Sequence, residues 1–572
     1  MTSFTKICRQ NSAHTFVITN EDQAILTKLS PVINGVRYDL PLPTLCPECR
    51  QQRRLAFRNE RHLYHRKCDL TGRAIISNFS PDHRHGGTSK SYKVYDHKEW
   101  LGDKWDAKDY GRDFDFSRPF FEQFDELMHE VPLPHITSSH DITENNCLYT
   151  NYAGNNKNCY LIFDSDFNED CMYGNVVKHS KSCLDSSYIT HSELLYECTD
   201  CNTCYNLKYS QDCTNCSDSY SLKNCIGCKN CIGCVNLRQK EYHIFNQPYS
   251  KEEYEKMKKE FRFDSLNFVK EFESRFKDYA AQFPCKAFHG VQIENSTGDY
   301  LYNAKDVHDC FNVGYVRDMR YCDSVYNAND CMDTSSFGEK IQLIYESGTI
   351  GINATNILFS HCIVNDSYNV MYSYACQNAH NLFGCTGMKH GEYCILNKQY
   401  SREEYEKLVP RIIEHMKSTK EFGEFLPMSL SAFAYNETVA GDIFPLSKEE
   451  CMKRSLRYKD SDDQNDYQGP QIAVPDSIND ANAEISNHIL QCADTGKFYK
   501  ILPQEFSFYH KWSVPIPTLC PNARHAKRLQ KRNPRKLYPR KCEGCKIDLQ
   551  TSYNPERLEK IYCETCYNNL YA

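Results

Sequence analysis

From Cys147 the chain falls into lines of twelve: CLYTNYAGNNKN, CYLIFDSDFNED, CMYGNVVKHSKS, CLDSSYITHSEL. Each line carries a short apolar, β-prone run (CYLIF, CMYGN, later CYNLKY) followed by Asn, Asp, Ser or Gly. The apolar positions lack the 3.6-residue spacing of a helix, and units this short and this rich in turn formers argue for strands. A fixed short period with one strand-like run per repeat predicts a β-solenoid, in which equivalent residues stack into ladders of Cys, Tyr and Asn. A coil of one repeat and a coil of two are both compatible with the period. Cysteines mark the register at 147, 159, 171 and 183, then at 204, 216 and 228, and a second series three residues offset runs through Cys201, Cys213 and Cys225.

The pattern returns downstream. Cys310 and Cys322 repeat the twelve-residue step, and NILFSHCIV, NVMYSYACQ and NLFGCTGMK follow from Asn356, Asn369 and Asn381. Both stretches end alike: KEYHIFNQPYSKEEYEKM and GEYCILNKQYSREEYEKL match without a gap at an offset of 151 residues. Each ending predicts a strand, a turn and a helix opened by a capping box, Ser250 with Glu253 and Ser401 with Glu404. The first of these helices is expected to run from about residue 250 to near Pro284. Helices at these places would cover the open ends of a solenoid.

The two ends of the chain repeat each other as well. PTLCPECRQQRRLAFRNERHLYHRKC (Pro43–Cys68) and PTLCPNARHAKRLQKRNPRKLYPRKC (Pro517–Cys542) share sixteen of 26 positions. Cys-Pro followed by a polar run predicts a helix with Pro at its first position. Ala523, Ala526 and Leu529 give that helix a thin apolar stripe, and LYHRKC or LYPRKC reads as a strand entering a turn. Beyond the second copy, Cys542, Cys545, Cys563 and Cys566 form CxxC-x17-CxxC, a spacing that lets two tight turns present four thiolates to one tetrahedral Zn²⁺. These last thirty or so residues resemble zinc ribbons, which implies a four-cysteine zinc site there. The other half sites read as worn copies. Cys8, Cys46 and Cys49 keep three ligands, with His14 as a fourth. Cys68 faces Asp96 and Glu99, and Cys492 with Thr495 faces Cys520 with Ala523. The order of the modules also resembles uncharacterised cysteine-rich proteins with the same end segments, a resemblance that implies no activity.

What both end copies share most fully is positive charge. Arg50, Arg53, Arg54, Arg58 and Arg61 line the first. Arg524, Lys527, Arg528, Lys531, Arg532, Arg535, Lys536 and Arg540 line the second. Such blocks are an electrostatic footprint for phosphate backbones, with His62, Tyr64, His65, His525 and Tyr538 as interleaved rings. The alternative is that these cations pair with acids of the central region. The chain as a whole carries a formal charge of −7, so it is no polycation.

Composition adds two further points. The chain has 32 cysteines and 40 tyrosines against 3 tryptophans. The start, MTSFTKICRQNSAHTF, has no apolar run behind a positive charge, which points to a reducing, cytoplasmic setting where thiols pack or bind metal. Buried packing thiols, metal or cluster binding (CTDCNTC, CTNC, CIGC) and disulfides are the three readings of the solenoid cysteines. No stretch is apolar enough to span a bilayer, so no membrane association is expected.

Catalytic signatures are missing: no GxSxG, Walker loop, HExxH or GxGxxG after a strand. FDSDF places Asp164 and Asp166 on one strand face, as any DxD does, and HRHGG at His83–Gly87 has no evident partners. The sequence therefore predicts a mainly β, multidomain scaffold without enzymatic activity. Residues 1–110 form a tandem degenerate zinc-ribbon-like module, 135–249 a first solenoid array, and 250–284 a capping helix. A second array follows at 285–400, a second capping helix at 401–420, a linker at 421–485, and a tandem ribbon module at 486–572. The expected ligands are zinc and nucleic acid, RNA before DNA, gripped by both basic ends. The alternatives are a protein-interaction scaffold working through the solenoid face, and a thiol-rich metal or redox protein.

Overall fold

The computed structural model describes residues 3–81, 92–138, 145–460 and 472–571. HRHGG and most of the acidic stretch Lys459–Pro470 lie outside the described residues. The chain divides into two compact units. One contains Met1–Ser139, Phe288–Asp460 and Arg535–Leu537; the other contains His140–Ala287, Ser461–Pro534 and Tyr538–Ala572. Each unit thus joins one solenoid array to one end module, and the joining is crossed: the N-terminal module shares a unit with the second array, the C-terminal module with the first.

In the first array the strands pair in parallel at a step of one repeat, Phe163 with Asn175, Ser187 with Thr199 and Thr199 with Gln211. A coil is therefore one repeat of twelve residues. Its shape comes from a shorter period that lies inside it. Every third residue has a positive φ, as at Tyr152, Asn155, Asn158, Leu161, Asp164 and Phe167. Each coil turns a corner at these residues and has four sides of three residues. The residue after each corner points inward. Ile162, Ser165, Asn168 and Cys171 are four successive inward residues, all buried. The abundance of Asn and Asp follows, since their short polar side chains tolerate the left-handed region. Asn ladders then form along the corners, as Asn206 Nδ2 donates to Asp218 Oδ1 at 2.9 Å. Asp164 is itself a corner, φ 51°. Ordinary strand alternation does not apply, so Asp164 and Asp166 are not a pair on one strand face.

The two cysteine series are neighbouring inward columns of the same coils. In one coil all four inward positions, Cys225, Cys228, Cys231 and Cys234, are cysteine and at most 1% exposed. Each thiol is satisfied by the backbone. Cys198 donates to the carbonyls of Tyr196 (3.4 Å) and Leu207 (3.5 Å), and Cys216 to those of Thr214 (3.5 Å) and Cys225 (3.3 Å). A small side chain with a weak donor suits an inward position next to a free carbonyl lone pair.

The second array keeps the design but opens on an eleven-residue step, Val291 with Tyr302, and later lengthens three times. Tyr326 pairs with Glu339, Glu339 with Ile352 and Thr355 with Tyr368, each a thirteen-residue step. Doubled corners, Ser336–Phe337 and Asn365–Asp366, take up extra residues. Both arrays leave through an antiparallel hairpin, Glu241–Ile244 with Gln247–Pro248 and Glu392–Ile395 with Lys398–Gln399. Both capping boxes form at the expected residues. The first exit is not one helix to Pro284 but two, Lys251–Lys258 and Leu266–Ala280. Phe263, Phe272 and Tyr254 of this region pack on Ile232 and Ile244 of the solenoid. The second is a single helix, Arg402–Ser418. Part of the expected linker is ordered: Tyr435, Ala440, Cys451 and Leu456 form a core with Leu55 and Ala56 of the N-terminal module.

Candidate metal centres

Four turns at the chain ends share one local geometry. In each, the cysteine N–H closes a small loop and the next N–H joins a second segment. Cys542 N donates to the Ile547 carbonyl and Glu543 N to that of Ile561; Cys68 and Asp69 do the same to Arg73 and Val94. Cys492 and Ala493 bond to Lys497 and Thr518, Cys8 and Arg9 to His14 and Thr44. The sulfur then accepts an N–H from the second segment, Cys563 N to Cys542 Sγ at 3.2 Å and Asp96 N to Cys68 Sγ at 3.3 Å. This backbone frame is present whether or not the remaining ligands are.

At the C-terminus the hairpin Tyr538–Lys541/Asp548–Thr551 carries one turn, and the helix Glu564–Tyr571 begins just after Cys563. The ligand atoms of Cys542, Cys545, Cys563 and Cys566 all lie within 4.8 Å of one another, with Cys545 Sγ 3.7 Å from Cys563 Sγ. A tetrahedral zinc with bonds of about 2.3 Å requires sulfurs about 3.8 Å apart, so the set fits. Gly544 is needed here, because a Cβ would sit 3.0 Å from Cys566 Sγ. Against burial, which opposes the thiolate, the N–H groups of Cys563, Cys545 and Gly544 pull the Cys542 thiol down to about 6. Cys542 is buried and Cys545 exposed.

At the N-terminus Cys8, Cys46 and Cys49 are buried and mutually within 4.8 Å. His14 Nδ1 lies 3.6 Å from Cys46 Sγ and 3.7 Å from Cys49 Sγ but stands outside the set of atoms mutually within 4.8 Å, so the ring would have to move towards Cys8 to serve as a fourth ligand. Its Nε2 lies 3.1 Å from the Asn11 amide, which fixes the ring. These two groups are the compact metal-ligand sets among the described residues. The other two half sites hold none: Asp96 caps the helix His97–Leu101, Glu99 pairs with Lys104 at 2.8 Å, and Thr495 Oγ1 stands 3.9 Å from Cys520 Sγ.

The basic segments do form helices after Cys-Pro, Pro47–Leu55 and Pro521–Lys531. Their buried face is not the thin apolar stripe, since Ala526 is exposed while Arg524, His525 and Arg528 are buried. It is a stripe of arginine at i, i+4 and i+8. Arg50 Nε donates to Asp333 at 2.7 Å, Arg54 to Asp333 and Ser335 at 3.2 Å, and Arg58 to Thr349 at 2.8 Å. Arg53 bonds to Glu346 (2.8 Å) and Glu424 (3.1 Å). Opposed by burial, Asp333 and its neighbours hold the Arg50 guanidinium above its ordinary value. The second copy repeats the device. Arg524 binds Asp185 and, at 3.2 Å, Glu505. Arg528 donates to Asp185 and to the Tyr173 carbonyl at 2.9 Å each. Arg532 pairs with Asp200 at 2.9 Å and lies 3.5 Å over the Tyr188 ring.

Of the residues expected to face a phosphate backbone, Arg50, Arg53, Arg54, Arg58, Arg524, Arg528 and Arg532 are buried. They are turned inward onto carboxylates of their own solenoid. Arg61 is half-buried, and Arg535 pairs with Asp323 at 2.8 Å. Lys527 pairs with Asp494, Lys531 approaches Glu197, Lys536 pairs with Glu48, and Arg540 donates to the Glu559 carbonyl. The acids that receive the stripe were the residues missed. Their signal was a repeated pentapeptide, CLDSS around Asp185 and CMDTS around Asp333.

No helix among the described residues is long and apolar enough to cross a membrane. The search for relatives adds little to this geometry. No protein-family model and no curated protein sequence matches the chain. Among solved structures, a putative acetyltransferase from Desulfovibrio desulfuricans G20 is similar over 36% of this chain and 62% of that one, at 8% identity and a TM-score of 0.08, which is too slight to carry an argument.

Proposed function

We propose that the protein is a non-enzymatic scaffold held together by two structural zinc ions, one in each end module, with the solenoid rather than the basic ends as its working surface. One observation carries this reading: the arginine stripes that both ends retain are consumed in buried ion pairs with Asp185 and Asp333. A charge buried in a pair is withheld from a phosphate. Zinc fits the C-terminal donor set by charge, softness and spacing and the three N-terminal thiols likewise, with His14 closing in as the fourth ligand, and would tie the knuckles that carry the stripes. Cys542, Cys545, Cys563 and Cys566 would hold one ion, and Cys8, His14, Cys46 and Cys49 the other.

Elemental analysis of protein purified under reducing conditions without added metal is expected to give two zincs per chain. Cys563→Ser removes one, Cys46→Ser the other. Titration with single-stranded RNA across a salt series completes the test. With most of the stripe buried, a shallow dependence is expected, of about two counterions or fewer. A slope of about six or more would return the ends to the role of a nucleic-acid grip.

A further inference from the structure

The two candidate metal centres differ in access. Among the cysteines of the chain Cys545 is the exposed one, and Cys563 and Cys566 beside it are half-buried. Cys8, Cys46 and Cys49 at the other end are 1%, 5% and 4% exposed. Cys545 and Cys563 stand on different turns, and their sulfurs are 3.7 Å apart. A thiol that meets solvent with a second thiol at its side is the arrangement in which oxidation ends in a disulfide.

The other half-buried thiols are held back. Cys147 is pushed up by its neighbour Cys159 and by burial, which withholds the thiolate that reacts. Burial does the same to Cys285. The inward columns of the arrays, Cys213 and Cys225 among them, are closed off from solvent.

We propose that Cys545 and Cys563 are a site of reversible oxidation by peroxides, at which the C-terminal knuckle exchanges its metal for a disulfide while the N-terminal centre is left intact. This deepens the reading of the four C-terminal cysteines as a zinc site and rests on it for the metal, not for the thiol pair. The Cys545 thiolate attacks the peroxide: an S–O bond forms, the O–O bond breaks, and the departing hydroxide takes a proton to become water. The Cys563 thiolate then attacks the same sulfur: the S–S bond forms, the S–O bond breaks, and the oxygen takes a proton and leaves as a second water. The thiol pair loses two electrons and one peroxide gains them. Cys542 and Cys566 remain, too few ligands for a four-coordinate ion. The turn keeps its backbone bonds, Cys542 N to the Ile547 carbonyl and Glu543 N to that of Ile561. The helix Glu564–Tyr571 keeps its place on the first array, where the Tyr567 hydroxyl accepts from Asn224 Nδ2 at 2.6 Å and the preceding strand pairs Ile561 with Cys285.

The test treats the full chain, freed of reductant, with hydrogen peroxide and follows released zinc with a colorimetric chelator. Glu543 and Glu564 lie inside the two CxxC turns, so trypsin with a glutamate-specific protease separates all four cysteines, and mass spectrometry identifies the link. A Cys545–Cys563 link is expected, with loss of one zinc of the two, about tenfold faster than any oxidation of Cys8, Cys46 or Cys49. Dithiothreitol with added zinc is expected to reverse both changes. Hydrogen exchange of residues 564–571 is expected to shift by less than about threefold, since the knuckle stays closed. A first link elsewhere, earlier loss of the N-terminal zinc, or no link under peroxide that oxidises free glutathione overturns the proposal. Larger opening of residues 564–571 overturns the exchange of metal for disulfide. A Cys545–Cys563 link in protein that carried no zinc beforehand supports the thiol pair and overturns the metal reading beneath it.

Discussion

Removing one carboxylate should release a whole end module. Asp185 is fully buried and takes charge-assisted hydrogen bonds from both Arg524 and Arg528, whose side chains are 3% and 0% exposed. In Asp185→Ala two guanidinium groups stay buried with less to compensate them. Breaking such a pair from one side costs about 3–5 kcal/mol. Arg524 keeps Glu505, and Arg528 keeps the Tyr173 carbonyl and Glu197 at 3.4 Å, which places the cost near the lower end, about 3 kcal/mol. At 1.4 kcal/mol per factor of ten, the equilibrium for undocking helix Pro521–Lys531 shifts by about a hundredfold. Native-state hydrogen exchange by mass spectrometry reads this directly, because a module that opens as a unit loses protection together. The amides of residues 521–531 are expected to lose about two orders of magnitude of protection, and those of Cys225–Cys234 to stay as they were. Adding Arg528→Met should restore part of the loss, since Arg524 then remains with Glu505 and one guanidinium fewer is buried without its acid. A loss below about threefold in the single variant, or no rescue in the double, would refute the clamp.

The same substitution in the other unit, Asp333→Ala, should loosen helix Pro47–Leu55 at least as much, because Arg54 is left with the Ser335 hydroxyl; exchange of residues 47–55 checks it. At the corners the usual strand preference should invert. Asn206→Val puts a β-branched residue at φ 49° and is expected to cost about 1–2 kcal/mol, whereas Asn206→Gly costs little, as read from thermal unfolding. Acid should weaken the unit that holds His361. Burial and the charge of Arg58 lower this ring to about 3, so between the ordinary histidine value and about 3 the unfolded chain binds a proton that the folded chain does not. Stability then falls as pH falls, by about 1.4 kcal/mol per unit from this ring, and His361→Leu should flatten that slope in denaturant midpoints followed from pH 7 to 4.

The features the sequence made legible are local ones. The twelve-residue period, the capping boxes and the C-terminal CxxC-x17-CxxC spacing each depend on residues close in the chain, and all appear in the structure. The three-residue period inside the twelve was hidden because the corner positions accept chemically diverse residues. Leu161, Tyr173, Val176 and His191 all sit at positive φ beside the expected Asn and Asp. A residue that offsets a strained corner with packing leaves no compositional mark. The second array was blurred by its slips, since one added residue moves every later inward position out of register. The destination of the arginines was illegible for a different reason. Arg50 and Asp333 are 283 residues apart, and a basic helix facing RNA and one facing its own solenoid have the same pattern until the acid is found.

The slips also show which part of the design is constrained. The two docking aspartates lie 148 residues apart (333 − 185), while the array exits lie 151 apart. The difference of three equals the three thirteen-residue steps, and every one of these falls after Asp333. From Leu301 to the docking aspartate the coils have kept their spacing, and the coils beyond it have not. Metal ligands have drifted in the same way, with two of the four knuckles reduced to their backbone frame while the arginines above them remain. An array can absorb an extra residue at a doubled corner, and a knuckle can close on hydrogen bonds alone. A buried arginine stripe has no such tolerance, because a shift of its acid by one residue would turn the carboxylate off the corner and leave several charges without partners. The basic segment at each end is therefore held by the solenoid it grips.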